Sequence, residues 1–300
     1  MQKRPNIEYV FQELSSKFPF MASLGNFWLC KYNSETMHGF HDCVEIVYCH
    51  SGKGILRSEE KKFAFQQGDI LFLSPYTPHY LYKEGDEWCR CEFVYVNLPA
   101  MFDPAIFPDI VEFTEQLLMP FSIPPIIDGK VYPRLQELLH LLLEEARHCK
   151  PFYEMSIRGY CMSVVAELKK IWDEHEKKEE KDSRASLYPA LLYMKRNYAE
   201  EITIPELADI CHISETHFRR LFKEKFHMSP IDYLNHIRVH EACVLLSRKA
   251  ILISEAAEQT GYHTVSTFNR NFLKIMQTSP TEWVKQHLLS AEKPIVMYYG

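Results

Sequence analysis

Residues 218–233 read FRRLFKEKFHMSPIDY and residues 268–283 read FNRNFLKIMQTSPTEW, one pattern written twice at an offset of fifty positions. Phe218/Phe268, Arg220/Arg270, Phe222/Phe272, Ser229/Ser279, Pro230/Pro280 and the aromatic pair Tyr233/Trp283 coincide. Aromatic residues four apart with polar and basic residues between them specify a short amphipathic helix with one buried stripe. A second short helix precedes each copy. In the first, Leu207 to Cys211 is that helix, His212-Ile213 a tight turn and Ser214 the N-cap of the repeated helix. In the second, Glu255 to Thr260 is the helix, Gly261 its left-handed stop and Thr264 the corresponding cap. Helix, tight turn, helix is the arrangement whose second helix lies in a DNA major groove. Two such units on one body would read successive grooves along one face of double-stranded DNA.

Periodicity then divides the faces of the two reader helices. Phe218, Leu221 and Phe222 belong inward, which leaves Glu215, Thr216, Arg219, Arg220 and Lys223 outward. Residues near the helix N-terminus reach bases, so Thr216, Arg219 and Arg220 are the candidates for base contact, arginine being able to grip a guanine edge with two bonds. Lys223, further along, suits a phosphate. The equivalents in the second copy are Ser266, Asn269 and Arg270, with Val265 placed to touch a thymine methyl. The plainer alternative is that two helical hairpins only pack together and that an exposed arginine serves a surface ion pair. Hairpins alone would not require arginine at the same outward position of both copies. Residues 231–246 hold no glycine or proline and read as one stiff helix, with Leu234, Ile237, Val244 and Leu245 inward. Such a helix would fix the spacing of the readers against grooves ~34 Å apart.

These residues resemble the AraC/XylS family of bacterial transcription regulators. The resemblance rests on the stretch from Ser214 through Phe222-Lys223, on Arg238 with Leu245-Leu246, on Gly261-Tyr262, on Phe268, Arg270 and Phe272, and on Ser279-Pro280. It covers about residues 187–287. Two departures stand out: Phe226-His227-Met228 where the family places a glycine before Ser-Pro, and Leu273-Lys274 where Phe-Lys is typical. The resemblance implies an effector-responsive, sequence-specific regulator, an activator of carbohydrate catabolic genes that works with RNA polymerase.

The first half reads differently. From about residue 26 to 98 short apolar runs alternate with turn signals such as Ser51-Gly52-Lys53-Gly54, Gln67-Gly68-Asp69 and Pro75-Tyr76-Thr77-Pro78, which predicts strands of a small β-barrel. His41, Glu45 and Gly52, then Gly68-Asp69, then Pro75 with His79, resemble the cupin barrel that serves as sensor domain in this family. His41, Glu45 and His79 are polar groups expected to converge inside the barrel, with Val47 and Trp28 beside them as candidate effector-binding residues for a small molecule, a sugar being the class in view. Tyr80, Trp88 and Tyr95 are further aromatics in reach. A cupin metal site has one more histidine, at the position of Gly39, so no metal and no cofactor is expected. Three ligands suffice for a catalytic metal, and a metal-dependent cupin enzyme joined to a DNA-binding domain stays open. So does a ligand-independent DNA binder.

Between about 133 and 175 the period changes to that of helices, marked by Leu135, Leu138, Leu139 and Leu142, then by Ile157, Tyr160, Cys161, Val164, Val165, Leu168 and Trp172. Leu141 and Leu143 make the first apolar beyond one stripe. These helices either cover the barrel or pair with a second subunit, and the reading adopted is a homodimer. The fold class is therefore two-domain α+β: a cupin-like effector-binding domain (1–130), a helical dimerisation segment (131–176), a charged linker (177–186) and an all-α tandem helix-turn-helix domain (187–290).

Composition bounds the rest. The net charge of −6 is uneven, with 21 basic and 28 acidic residues in 1–185 against 13 and 12 in 186–300. No run of eighteen apolar residues predicts a membrane span, and the N-terminus lacks the apolar core of a signal peptide, so a cytoplasmic protein is expected. Nine cysteines without a Cys-x-x-Cys pair predict reduced thiols rather than disulfides or a structural zinc, and Cys89 and Cys91 read as packing. No catalytic residues are assigned.

Overall fold

The structure, a computed structural model, describes residues 6–9, 14, 18–25, 37–41, 43–58, 61–83, 88–103, 105–117, 122–179, 187–226, 228–248, 251–289 and 296–299. The chain forms two compact units, residues 1–182 together with 294–300, and residues 183–293.

In the first unit the strands β1 (Asn6–Tyr9), β2 (Phe20–Gly25), β3 (Met37–Phe40), β4 (Val44–Ser51), β5 (Lys53–Ser58), β6 (Lys61–Gln66), β7 (Asp69–Leu73), β8 (His79–Lys83) and β9 (Arg90–Val96) precede α1 (Leu98–Met101) and α2 (Pro108–Gln116). Then come β10 (Ile126–Asp128), α3 (Pro133–His148), α4 (Tyr153–Glu179) and, from the chain's end, β11 (Val296–Tyr299). The strands form two sheets, ordered β1-β3-β8-β5-β6 and β10-β7-β4-β9-β2-β11. Among the described residues the sheets do not close into one hydrogen-bonded ring; they face each other across a shared core, the two-sheet arrangement of a cupin-like domain.

Strands β2, β4, β7 and β9 of the six-stranded sheet are largely buried on both faces, and this explains their sequence. Val47, Cys49, Leu71, Leu73, Cys91 and Phe93 point into an inner core that includes Leu56 and Phe65 of the other sheet. Their alternates Ile46, Tyr48, Ile70, Phe72, Val94 and Val96 meet Leu135, Leu139, Leu142 and Leu143 of α3 and Ile157, Cys161, Val164 and Leu168 of α4. Runs such as Val44-Glu45-Ile46-Val47-Tyr48-Cys49 are buried throughout, and apolar but for Glu45, because neither face meets water. The helical stripe read as a dimerisation surface is thus spent on covering the sheet. Leu141 is left 44% exposed, as are Phe152 at 80% and Met155 at 70%. Polar ties fix α3 on the sheet: Gln136 Nε2 donates to the Tyr48 hydroxyl at 2.9 Å, and Arg147 donates to both oxygens of Glu92 at 2.9 and 3.0 Å.

Several expectations are corrected here. Strands β1 and β2 lie ahead of residue 26, where the strand region was expected to begin, and β10 and β11 come after residue 98, where it was expected to end. Helix α4 runs to Glu179, so the charged stretch assigned to a linker starts inside it. Residues 180–186 lie outside the described residues.

The second unit is helical: α5 (Tyr188–Arg196), α6 (Ile204–Ile210), α7 (Glu215–Phe226), α8 (Pro230–Arg248), α9 (Ile253–Gln259), α10 (Val265–Met276) and α11 (Pro280–Leu289). The repeated Ser-Pro does more than end a helix. Ser229 and Ser279 cap the next ones, accepting from Asp232 N at 3.1 Å and Glu282 N at 3.2 Å, while the proline fills the first turn where no N–H is needed. The repeated aromatics are explained as well. Tyr233 stands edge-on to Phe222 at 5.4 Å and Trp283 edge-on to Phe272 at 6.1 Å, both at an interplanar angle of 77°. In α8, Leu234 and Ile237 are buried as expected. Val244 and Leu245 are only half-buried, and Val239, Ala242, Cys243 and Leu246 take the inward positions instead.

Candidate DNA interface and effector site

Each helix-turn-helix is closed by the same backbone device. Ile213 N donates to Ala208 O at 3.1 Å and Tyr262 N to Ala257 O at 3.0 Å, with a left-handed residue just before the donor, His212 at φ 55 and Gly261 at φ 82. These pairs are offset by forty-nine, whereas α7 and α10 start fifty apart, so the second turn is one residue longer. At Gly261 a Cβ would stand 2.7 Å from Ala199 O and 2.8 Å from Tyr198 O, so close approach and positive φ both demand glycine. Ser214 Oγ accepts from His217 N at 3.3 Å and Thr264 Oγ1 from Thr267 N at 3.2 Å, the caps expected for the reader helices.

Beyond those caps the outward residues fall where the period put them. Thr216, Arg219, Arg220 and Lys223 on α7 are exposed, as are Val265, Ser266, Asn269 and Arg270 on α10, while Phe218, Phe222, Phe226, Phe268 and Phe272 are buried. Leu221, expected inward, is half-buried. Arg220 lies 3.6 Å from Glu224, both side chains more than three-fifths exposed, a pair worth little in water. Arg238 has a structural part. Its Nε donates to Tyr198 O and one terminal nitrogen to Glu200 O, both at 2.7 Å, and its guanidinium lies 5.6 Å from the Tyr262 ring. Tyr262 in turn donates to Asn235 Oδ1 at 3.0 Å. Lys274 donates to Asp232 Oδ1 at 2.7 Å, tying α10 to the start of α8.

In the sandwich, Glu45 of one sheet meets His79 of the other. His41 Nε2 and His79 Nε2 lie 2.7 and 2.9 Å from the same oxygen, Glu45 Oε2, and the three side chains are buried. His41 sits before β4 rather than in it, so strand alternation is not what brings the two groups together. Each imidazole turns its Nδ1 to a backbone carbonyl, Cys43 O at 2.9 Å and Thr77 O at 2.8 Å. A neutral imidazole donates from one nitrogen only. With Nδ1 so used, each Nε2 either carries a second proton towards Glu45 or offers a lone pair to a cation in the proton's place. Burial raises the Glu45 carboxyl, but the His79 charge and the bonds from both histidines outweigh it and hold the group down, at about 2. Burial likewise works against the His79 imidazolium, and the Glu45 charge and hydrogen bond overcome it, raising its pKa.

Two imidazoles fixed through their far nitrogens plus a carboxylate are a donor set that fits a metal ion as well as a polar ligand. Gly39, standing where a fourth ligand would be, pairs with His79 across the sheet. Val47 is buried two residues beyond Glu45, Tyr95 stands edge-on to His41 at 5.6 Å, and Trp88 is 72% exposed. Trp28 lies outside the described residues.

Two features escaped sequence reasoning. Thr77 Oγ1 is buried without a hydrogen-bond partner among the described residues, beside the carbonyl that holds His79. Glu92 is buried between His50, 2.8 Å away, and Arg147, and it also accepts from Gly25 N at 3.1 Å. The signal for the second was an acid inside the apolar run Cys91 to Val96.

A helix-turn-helix pair joined in one chain to a β-sandwich with a polar interior defines a two-part regulator. Comparison with known proteins agrees. A helix-turn-helix domain model matches residues 207–286 and an AraC-like ligand binding domain model matches residues 29–157. The chain belongs to the AraC family of DNA-binding transcription regulators. It is 34% identical over 94 residues to a lactose operon transcription activator of Staphylococcus xylosus, a match spanning 31% of this chain and 34% of that protein. It is 25% identical over 261 residues to the HTH-type transcriptional regulator YdiP of Escherichia coli, spanning 84% of this chain and 82% of that one. A crystal structure of unsaturated fatty acid-bound ToxT from Vibrio cholerae superposes over 92% of this chain and 96% of that one, at TM-score 0.46 and 13% identity. No helix among the described residues is long and apolar enough to cross a membrane.

Proposed function

We propose that this regulator reads bipartite operators with the N-terminal turns of α7 and α10, and that a small polar effector at His41, Glu45 and His79 governs the reading. Thr216, Arg219 and Arg220 on one helix, and Val265, Ser266, Asn269 and Arg270 on the other, face bases, and Lys223 holds a phosphate. The observation that carries this reading is the matched exposure of Arg220 and Arg270 beyond matched caps. For the effector, the supporting observation is the buried Thr77 hydroxyl beside the His–Glu–His cluster, since an unmet buried polar group costs about 1–3 kcal/mol. A carbohydrate, with hydroxyls that both donate and accept, fits such a lining, as does the name of the staphylococcal relative. Val47 and Trp28 complete the expected effector contacts.

The chain works as a cytoplasmic homodimer that engages RNA polymerase and acts by binding rather than by catalysis. Its pairing surface is the outward side of α4 with the Phe152 that precedes it: Phe152, Met155, Gly159 and Ala166 are exposed, and a Cβ at Gly159 would meet nothing within 4 Å. Selection of bound sequences from a random DNA pool tests the reading. A motif with two half-sites one helical turn apart is the expected result, and recovery of unrelated sequences would refute it. Thermal shift against a sugar panel, then DNA titration with and without the hit, tests the effector.

A further inference from the structure

At the opposite end of the inner core from the histidines, three cysteines meet. Cys49 on β4 is the cross-strand partner of Cys91 on β9, and Cys89 lies one residue ahead of β9. Cys49 Sγ is 3.9 Å from Cys89 Sγ, and Cys89 Sγ is 3.8 Å from Cys91 Sγ. All three sulfurs lie within 4.8 Å of one another, and all three residues are fully buried. With metal–sulfur bonds of ~2.3 Å, two thiolates on one ion stand ~3.8 Å apart in a tetrahedral site and ~4.0 Å apart in a trigonal one. The two spacings to Cys89 match that geometry, and the third pair, Cys49 and Cys91, lies within 4.8 Å.

The trio is also held in place. The register of β4 and β9 shifts between Cys49 and Ser51, the signature of a bulge that re-aims side chains. Gly52 follows with φ +86, and a Cβ there would stand 2.3 Å from Trp88 O and 2.8 Å from the Cys89 Cα, so the hairpin turn lies directly on the Cys89 backbone. Gly68 N donates to Cys49 O at 2.9 Å and Gln67 N to Gly52 O at 3.0 Å, bracing the turn from the next hairpin. Rigid backbone on every side is what a preorganised ligand set requires.

We propose that Cys49, Cys89 and Cys91 form a three-thiolate binding site for a thiophilic d10 divalent ion of the zinc and cadmium class. The donor set holds no carboxylate or imidazole, which selects soft ions over magnesium, calcium or manganese. Binding exchanges protons for metal: three thiols and one divalent ion give a metal tris-thiolate of charge −1 and three protons released to buffer. The Ser51 carbonyl, 3.6 Å from Cys49 Sγ, stands beside the site as a hard donor. Cys89 and Cys91 do pack in the inner core, and no sequence pattern set Cys49 beside them because that sulfur comes from forty residues earlier in the chain.

The test uses the full chain, purified reduced, stripped with a chelator and reloaded with cadmium(II) or zinc(II). One ion per chain should survive gel filtration, with a cadmium–thiolate charge-transfer band that Cys89→Ser and Cys49→Ala abolish and Cys161→Ser keeps. X-ray absorption of the loaded wild type needs no variant and should show a first shell dominated by sulfur. Failure to retain an ion, or a nitrogen- and oxygen-rich shell that places it at the histidines, would overturn the proposal. So would a charge-transfer band unaffected by the two cysteine substitutions.

Discussion

At the scale of single residues, Arg220 and Arg270 are the sharpest test of base reading. Each was legible because a helical period leaves only one outward face once the phenylalanines are placed. Arg220→Ala and Arg270→Ala should each weaken operator binding by ~1–3 kcal/mol and relax preference at base positions one helical turn apart. Competition with base-substituted operators measures this, and uniform loss across all sequences would show that the arginines touch only phosphates. Folding stability should stay unchanged for Arg220→Ala, since its pair with Glu224 is solvent-exposed. The buried cluster was legible from spacing, although the place of His41 outside the strand was not, and Thr77 gave no signal because a lone threonine carries no pattern. The cluster's pH dependence comes from the two shifted groups. Glu45, held at about 2 against an ordinary 4.5, stabilises the fold above pH 4.5 and loses that contribution as pH falls towards 2. His79, raised above 6.5, contributes fully below pH 6.5 and loses that as pH climbs through its raised value. The two overlap between pH 4.5 and 6.5. Glu45→Gln should therefore cost most there, about 3–5 kcal/mol for a broken buried pair, and less on either side. Thermal unfolding of both proteins across pH 3 to 9 checks it, and a pH-independent difference would disprove the charged pairing.

Among the elements, α6 to α10 of the second unit were legible, whereas α5, α11 and the first unit's strand order were not. Amphipathic helices announce themselves through period and caps, and every cap named from the sequence in α7 and α10 is present. A sheet buried on both faces lacks alternation, so β4 and β7 showed as apolar runs without register. Strand β2, inside a stretch of mixed small and aromatic residues, did not separate from its surroundings. The turn between α6 and α7 offers a direct comparison with its repeat. His212 adopts the left-handed conformation that Gly261 adopts in the second copy, at a cost of ~1–2 kcal/mol for a residue with a Cβ. Its side chain is exposed, so His212→Gly loses only chain entropy in return and should stabilise the unit by about 0.5–1 kcal/mol. A raised midpoint in denaturant unfolding with operator affinity intact is the expected result. Arg238→Ala runs the other way. It leaves the carbonyls of Tyr198 and Glu200 without their charged donor and should destabilise the unit by about 3 kcal/mol, reducing DNA binding through folding rather than through contact.

For the whole molecule, the division of labour rests on where apolar surface is used. The stripes of α3 and α4 are consumed in covering the six-stranded sheet, so the sensing unit carries one continuous core from sheet to helix. The helix-turn-helix unit buries its own aromatics against α8 and α11 and has a core to itself. Sequence periodicity identified those apolar faces but could not say which surface each would meet, because a stripe that covers a sheet and one that pairs subunits look alike. Two independent cores predict that residues 183–293, expressed alone, fold cooperatively, stay monomeric and still bind operator DNA. Binding should be weaker than for the full chain, by one to three orders of magnitude if the first unit supplies the pairing, since two linked readers gain from effective concentration. Sedimentation of the fragment beside the intact protein, then titration with an operator carrying one or two sites, separates the possibilities. A fragment that remains dimeric would move the pairing surface from α4 into the helix-turn-helix unit. A monomeric fragment that binds as tightly as the intact chain would show that pairing adds nothing to operator affinity.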